Sequence, residues 1–127
     1  MGTKVVLVVE DDDDTRESLV EFLRDHQFAT VAASDAATAL EALRQGLDPL
    51  VILLDLMMPG LSGWEFRRLQ MNDPGLNKIP VVIMTALAVD SASTKAQLGN
   101  VTWLAKPFSL ETLVATIAQA SRPAGAP

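Results

Sequence analysis

The chain has 127 residues, 49% apolar but only 5% aromatic, enough for one domain with a sizeable aliphatic interior and little room for a second domain. It has no cysteine, which excludes disulfides and thiolate metal sites, and a net charge of -6, which sets it against nucleic acid and anionic membranes as partners. No apolar run approaches the roughly 18 residues of a membrane span and the opening "MGTKVV" is no signal-peptide core, so a soluble cytoplasmic protein is expected, with no nucleic-acid or membrane contact.

The first predicted element is the aliphatic run "VVLVV" (5–9), which ends in five consecutive carboxylates, Glu10 to Asp14. Helical spacing follows over 13–26, with Leu19, Phe22 and Leu23 on one side. The weaker run "FATVAA" (28–33) reads as a second strand, and 35–45 as a second helix with Leu40 and Leu43 inward and Ser34 at its N-cap position. The third strand, "LVILL" (50–54), leads into Asp55. Met58-Pro59-Gly60 then forces a loop, and Gly63 is expected to permit an unusual backbone angle before a helix over 64–72 that turns Phe66 and Leu69 inward.

"PVVIM" (80–84) is the fourth strand and reaches Thr85. The segment 89–99 has only Val89 and Leu98 as large apolar anchors, so its helix is expected to be short or mobile. "VTWLA" (101–105) is the fifth strand and leads into Lys106. Ser109 is the N-cap of a helix over 110–121 carrying Leu110, Leu113, Val114 and Ile117, and residues 121–127, "SRPAGAP", have the composition of a linker or disordered tail. Unbroken aliphatic runs mark strands buried on both faces, the habit of parallel sheets. Five strand–helix alternations then predict an α/β, doubly wound (βα)5 domain.

In an open parallel sheet, ligands bind beyond the carboxyl ends of the strands. Glu10-Asp11, Asp55, Thr85 and Lys106 stand at four such ends and converge on one rim. Clustered carboxylates without His or Cys suit a hard divalent cation, Mg²⁺ by preference, which also relieves their mutual repulsion. Without it the pocket acids should hold their protons more tightly than usual. Glu10 and Asp11 extend the strand into the pocket, whereas Asp12, Asp13 and Asp14 fall where carboxylates cap a helix N-terminus. Lys106 precedes Pro107, so a cis peptide bond there would aim its ammonium over the pocket.

The ordered set Glu10-Asp11, Asp55 with Met58-Pro59 and Gly63, Thr85-Ala86, and Lys106-Pro107-Phe108 resembles the receiver domain of bacterial two-component response regulators, over about residues 3–120. The resemblance implies a flavodoxin-like five-stranded parallel sheet in order 2-1-3-4-5 and a phosphorylation switch. Asp55 would be the phosphoacceptor, charged by a phosphohistidine on a histidine kinase or phosphotransfer protein. Asp11 and Asp55 would ligate Mg²⁺ directly, with the Met57 carbonyl as a third ligand and Glu10 acting mostly through water. Lys106, the Thr85 hydroxyl and the Ala86 N–H would contact the phosphoryl group. Thr85 and Trp103 would form the switch, read by a downstream effector protein or domain on the face of the fourth helix, fifth strand and fifth helix. A transient homodimer on phosphorylation is also within the family's habit. The chemistry is self-catalysed phosphoryl transfer and autodephosphorylation, not the work of an enzyme on a separate substrate.

Trp103 departs from the more usual Tyr or Phe, and Met57 and Leu87 are apolar where polar residues would position an attacking water, which predicts a long-lived phosphoryl group. His26, the only histidine, suits the C-terminal end of the first helix and is not expected to carry phosphate. Competing classes fare worse. A haloacid-dehalogenase-like phosphatase needs a second Asp where Met57 stands, and a dinucleotide-binding domain needs glycines that "EDDDDT" lacks. An interaction module with a dead site would not need every pocket group, and all are present.

Overall fold

The computed structural model describes residues 5–86, 96 and 98–121. In chain order the elements are β1 (Val5–Val9), α1 (Asp13–Asp25), β2 (Ala29–Ala33), α2 (Ala36–Arg44), β3 (Val51–Asp55), α3 (Gly63–Met71), β4 (Val81–Thr85), β5 (Thr102–Ala105) and α4 (Leu110–Ala120). The five strands form one sheet in the order β2-β1-β3-β4-β5, with every neighbouring pair parallel. This is the expected doubly wound α/β arrangement and strand order. Of the helix expected over 89–99, residues 89–95 and 97 lie outside the described residues. Of the expected tail only Ser121 is described, as the cap that closes α4.

Strand residues point alternately to the two faces and build two cores. Leu7, Val9, Ile52, Leu54 and Ile83 meet Leu40 and Leu43 of α2 and Phe66 of α3. Val6, Val8, Leu53, Val82 and Met84 meet Leu19 and Leu23 of α1 and Leu113 and Ile117 of α4. The central strands β3 and β4 are buried throughout, whereas Ala33 is the only buried residue of β2 and Leu104 the only one of β5. Burial on both faces therefore holds for the middle of the sheet and fails at its edges. Among the described residues, no helix is long and apolar enough to cross a membrane.

Two local expectations need correction. The N-cap of α2 is Asp35, not Ser34. Asp35 has the extended backbone a cap requires, and its Oδ1 accepts the Thr38 N–H at 2.7 Å. That hydrogen bond, with Thr38's hydroxyl, holds the carboxyl below its ordinary pKa. Ser109 caps α4 as expected, its Oγ accepting the Thr112 N–H at 3.1 Å.

Gly63 is the second correction. Its backbone is not left-handed; that angle belongs to Gly60, with φ 75. Gly63 is the first residue of α3, where a Cβ would lie 2.7 Å from Leu56 Cα and 2.9 Å from Asp55 O. The requirement is close approach, not conformational freedom. Because the obstacles are backbone atoms, Gly63→Ala should lower stability by about 3 kcal/mol, measured as a fall in the urea midpoint at unchanged m-value. A midpoint matching wild type would show that α3 can lift away without cost.

Candidate functional site

Four strand ends place the site's side chains on one rim. Glu10, 1% exposed, directly follows β1, and its N–H donates to Ala33 O at 3.1 Å. Asp55 and Thr85 are the last residues of β3 and β4, and both are buried. Lys106 follows β5, with its N–H donating to Thr85 O at 2.9 Å. The Lys106-Pro107 peptide bond is cis, as expected.

One carboxylate oxygen from each of Glu10, Asp11 and Asp55 lies within 4.8 Å of the others. Lys106 Nζ donates to Glu10 Oε1 at 2.8 Å and stands 3.8 Å from Asp55 Oδ2. The Met57 N–H donates to Asp55 Oδ1 at 3.3 Å, while the Met57 side chain is exposed. Ala86 is exposed beside the buried Thr85.

The remaining acids have separate duties. Asp12 is the N-cap of α1, its Oδ2 accepting from Thr15 N at 2.9 Å and Thr15 Oγ1 at 2.6 Å. Asp13 pairs with Arg16, and Asp14 lies exposed in the first turn. Sequence reasoning missed Arg16. Its Nη1 donates to Glu10 O at 2.9 Å, so it holds the turn that carries the pocket acids. The one available signal was a lone cation placed six residues after Glu10 in an acidic run.

Trp103 pairs with Ile83 across β4 and β5 and is partly buried against the core shared with α2 and α3. His26 closes α1, with Nδ1 3.0 Å from Phe22 O and its ring 4.2 Å from that of Phe22, a local role far simpler than phosphotransfer. Leu87 lies outside the described residues.

Burial, then the hydrogen bond and charge of Glu10, push the Asp55 carboxyl up to about 7, against the opposing pull of Lys106 and the Met57 N–H. For Lys106, burial favours the neutral amine, but Glu10 and Asp55 outweigh it and hold the ammonium above its ordinary pKa. Among the described residues the clustered side-chain donors are all carboxylate oxygens, a set that fits a hard cation such as Mg²⁺.

A cation and a proton compete for Asp55. Mg²⁺ binding should therefore release most of one proton near pH 6 and almost none near pH 8.5. Calorimetry in buffers of different ionisation enthalpy would measure this, and equal release at both pH values would contradict the raised Asp55 pKa.

The doubly wound sheet, with three clustered carboxylates at its carboxyl rim and the lysine that follows β5 beside them, defines a flavodoxin-like domain with an acidic pocket. The family model described as the response regulator receiver domain matches residues 6–118, and the chain belongs to that family. It is 37% identical over 114 residues to the DNA-binding response regulator MtrA of Mycolicibacterium smegmatis, covering 88% of this chain and 48% of that protein. It is 36% identical over 113 residues to the phosphate regulon transcriptional regulatory protein PhoB of Klebsiella pneumoniae, covering 88% and 49%. The chain thus spans about half the length of these curated relatives. Among solved structures, the chemotaxis protein CheY4 of Vibrio cholerae superposes with a TM-score of 0.83 at 29% identity, covering 94% of this chain and 99% of that one.

Proposed function

We propose that the chain is the phosphoacceptor switch of a two-component relay, with Asp55 as the acceptor. The observation that carries this reading is the meeting of Asp55 with Glu10, Asp11 and Lys106 at one rim, in a member of the receiver family. An Asp55 carboxylate oxygen attacks phosphorus, an O–P bond forms, the P–N bond of a donor phosphohistidine breaks, and the imidazole leaves with the bonding electron pair. Lys106 then turns from Glu10 to a phosphoryl oxygen, and the Thr85 hydroxyl and Ala86 N–H donate to the others. Asp11, Asp55 and the Met57 carbonyl would hold Mg²⁺ directly and Glu10 mostly through water, and the ion would neutralise the charge crowded at the transferring group. The rest is positioning by the protein, without an enzyme's separate substrate; slow autodephosphorylation returns the resting state.

A groove of about 510 Å³ beside the site, lined by Ser18, Leu19, Pro107, Phe108 and Leu110, supports docking of the donor, a histidine kinase or phosphotransfer protein. The output runs from Thr85 to Trp103 and the surface of segment 89–99, β5 and α4, where an effector or a second copy of the chain reads it. The functional unit of this reading is 3–120, with 121–127 as a linker or disordered tail.

The test is incubation with Mg²⁺ and acetyl phosphate. The expected product carries one phosphoryl group that survives acid and is lost in base. A protein that takes up none while binding Mg²⁺ would be an interaction module, not a switch.

A further inference from the structure

The inward face of α3 carries a polar pair among apolar neighbours: Arg67 is 3% exposed and Gln70 0%. Arg67 Nε donates to Leu98 O at 2.7 Å, Nη2 to Asn100 O at 3.3 Å, and Nη1 to Gln70 Oε1 at 2.8 Å. Gln70 Nε2 in turn donates to Leu76 O at 3.0 Å and Ile79 O at 3.1 Å. Among the described residues, every acceptor of Arg67 is a neutral oxygen. Burial pulls its pKa down.

A buried cation without a counter-charge is a poor stabiliser, since an apolar side chain of similar length fills the same space with no desolvation cost. What the guanidinium fork adds is direction: it holds two carbonyls of a turn 31 and 33 residues further along the chain. That turn is tight. Gly99 has φ 72, Leu98 is 1% exposed, and the Val101 N–H donates to Gly99 O at 3.0 Å.

One helical turn before Arg67, and on the same face, stands Gly63. There α3 rests on the backbone of Asp55 and Leu56, with the Gly63 N–H donating to Leu56 O at 3.1 Å. A single helix therefore touches the loop after Asp55 at its start and the entry to β5 at Arg67. β5 carries Trp103 and leads into Lys106. We propose that Arg67 is a positioning residue that clamps the 98–100 turn to α3, so that a shift of the Asp55 loop reaches the start of β5 through α3 as well as through Thr85. The clamp stands on geometry alone; its role in signalling rests on the phosphoacceptor reading above.

The experiment uses Arg67→Met and Arg67→Lys in a Trp64→Phe background, so that Trp103 is the only indole. In the unphosphorylated protein, backbone amides of 98–103 should exchange at least tenfold faster in Arg67→Met, with β1 and β3 unchanged. Arg67→Lys should fall between, because a compact ammonium cannot span both carbonyls in the fork's geometry. If Arg67→Met does not fold, Arg67→Lys carries both measurements. Unaltered protection of 98–103 in the folded variants would overturn the clamp.

In the second arm, Mg²⁺ and beryllofluoride should change Trp103 emission in the Arg67 parent and change it less than half as much in Arg67→Met, while acetyl phosphate labels both equally. A full-sized response in Arg67→Met overturns the coupling, as does a labelled parent that shows no response. A parent that takes up no label instead defeats the phosphoacceptor reading and the coupling with it, while amide exchange still decides the clamp.

Discussion

Asp55→Asn should abolish phosphoryl uptake from acetyl phosphate, with labelling below detection under conditions expected to label wild type to one group per chain. The amide keeps the shape of the carboxyl and can still accept the Met57 N–H that now reaches Asp55 Oδ1 at 3.3 Å, so the pocket should survive the change. What it loses is the anionic oxygen that, in the proposed transfer, attacks phosphorus. The same variant has a stability signature. With its carboxyl pushed up to about 7, Asp55 holds a proton in the folded chain at pH values where the unfolded chain has released it. Wild-type stability from this group is thus complete below the unfolded pKa and declines as pH rises toward about 7. Asn cannot ionise, so the metal-free variant should melt above wild type near pH 8 and close to it near pH 4. Labelling of Asp55→Asn equal to wild type would remove Asp55 from the role of acceptor, whatever the melting curves show.

The second large effect separates the acids of the first loop. Asp11→Ala should weaken Mg²⁺ binding by about a hundredfold, because it deletes a direct oxygen ligand of an ion that keeps few protein ligands. Asp13→Ala breaks the pair with Arg16 at the surface, where such pairs contribute little. It should leave Mg²⁺ affinity within about twofold and cost at most about 1 kcal/mol of stability. Arg16 retains its bond to the Glu10 carbonyl in that variant, so the turn holds its shape. Equal losses in the two variants would show that the acids act as one diffuse negative field, not as ligands and helix-terminal groups with distinct duties.

The strands and the rim residues were legible because they depend on features that sequence carries directly, whereas the strand order came only with the family resemblance. Aliphatic runs bounded by turn residues mark strands, and a strand's last residue is by position a rim residue. Glu10, Asp55, Thr85 and Lys106 could be placed together on that ground before any resemblance entered. What escaped depends on distance between chain segments. Ser34 and Asp35 are both good caps, and only the backbone decides that Asp35 faces the Thr38 N–H. Gly63 was noticed for the wrong reason, since the proximity of Leu56 and Asp55 to its α-carbon is a packing fact. The cap of α3 was legible and passed over: Ser62 and Glu65 form a reciprocal capping box, written plainly in "SGWE". Arg67 had no signal at all, because on a helix its charge reads as solvent-facing, and its acceptors are carbonyls any sequence supplies.

The bond between Lys106 and Glu10 joins residues 96 apart in the chain. Such a contact closes a loop of about three quarters of the chain, and its entropy cost is offset when the intervening strands are in place. As the protein is synthesised, the acids that follow the first strand emerge well before the lysine that opposes them. A nascent or truncated chain lacking β5 presents the carboxylates without that ammonium and without the rim that gathers them. The completed pocket therefore requires β5 to have docked on β4, since Lys106 follows that strand.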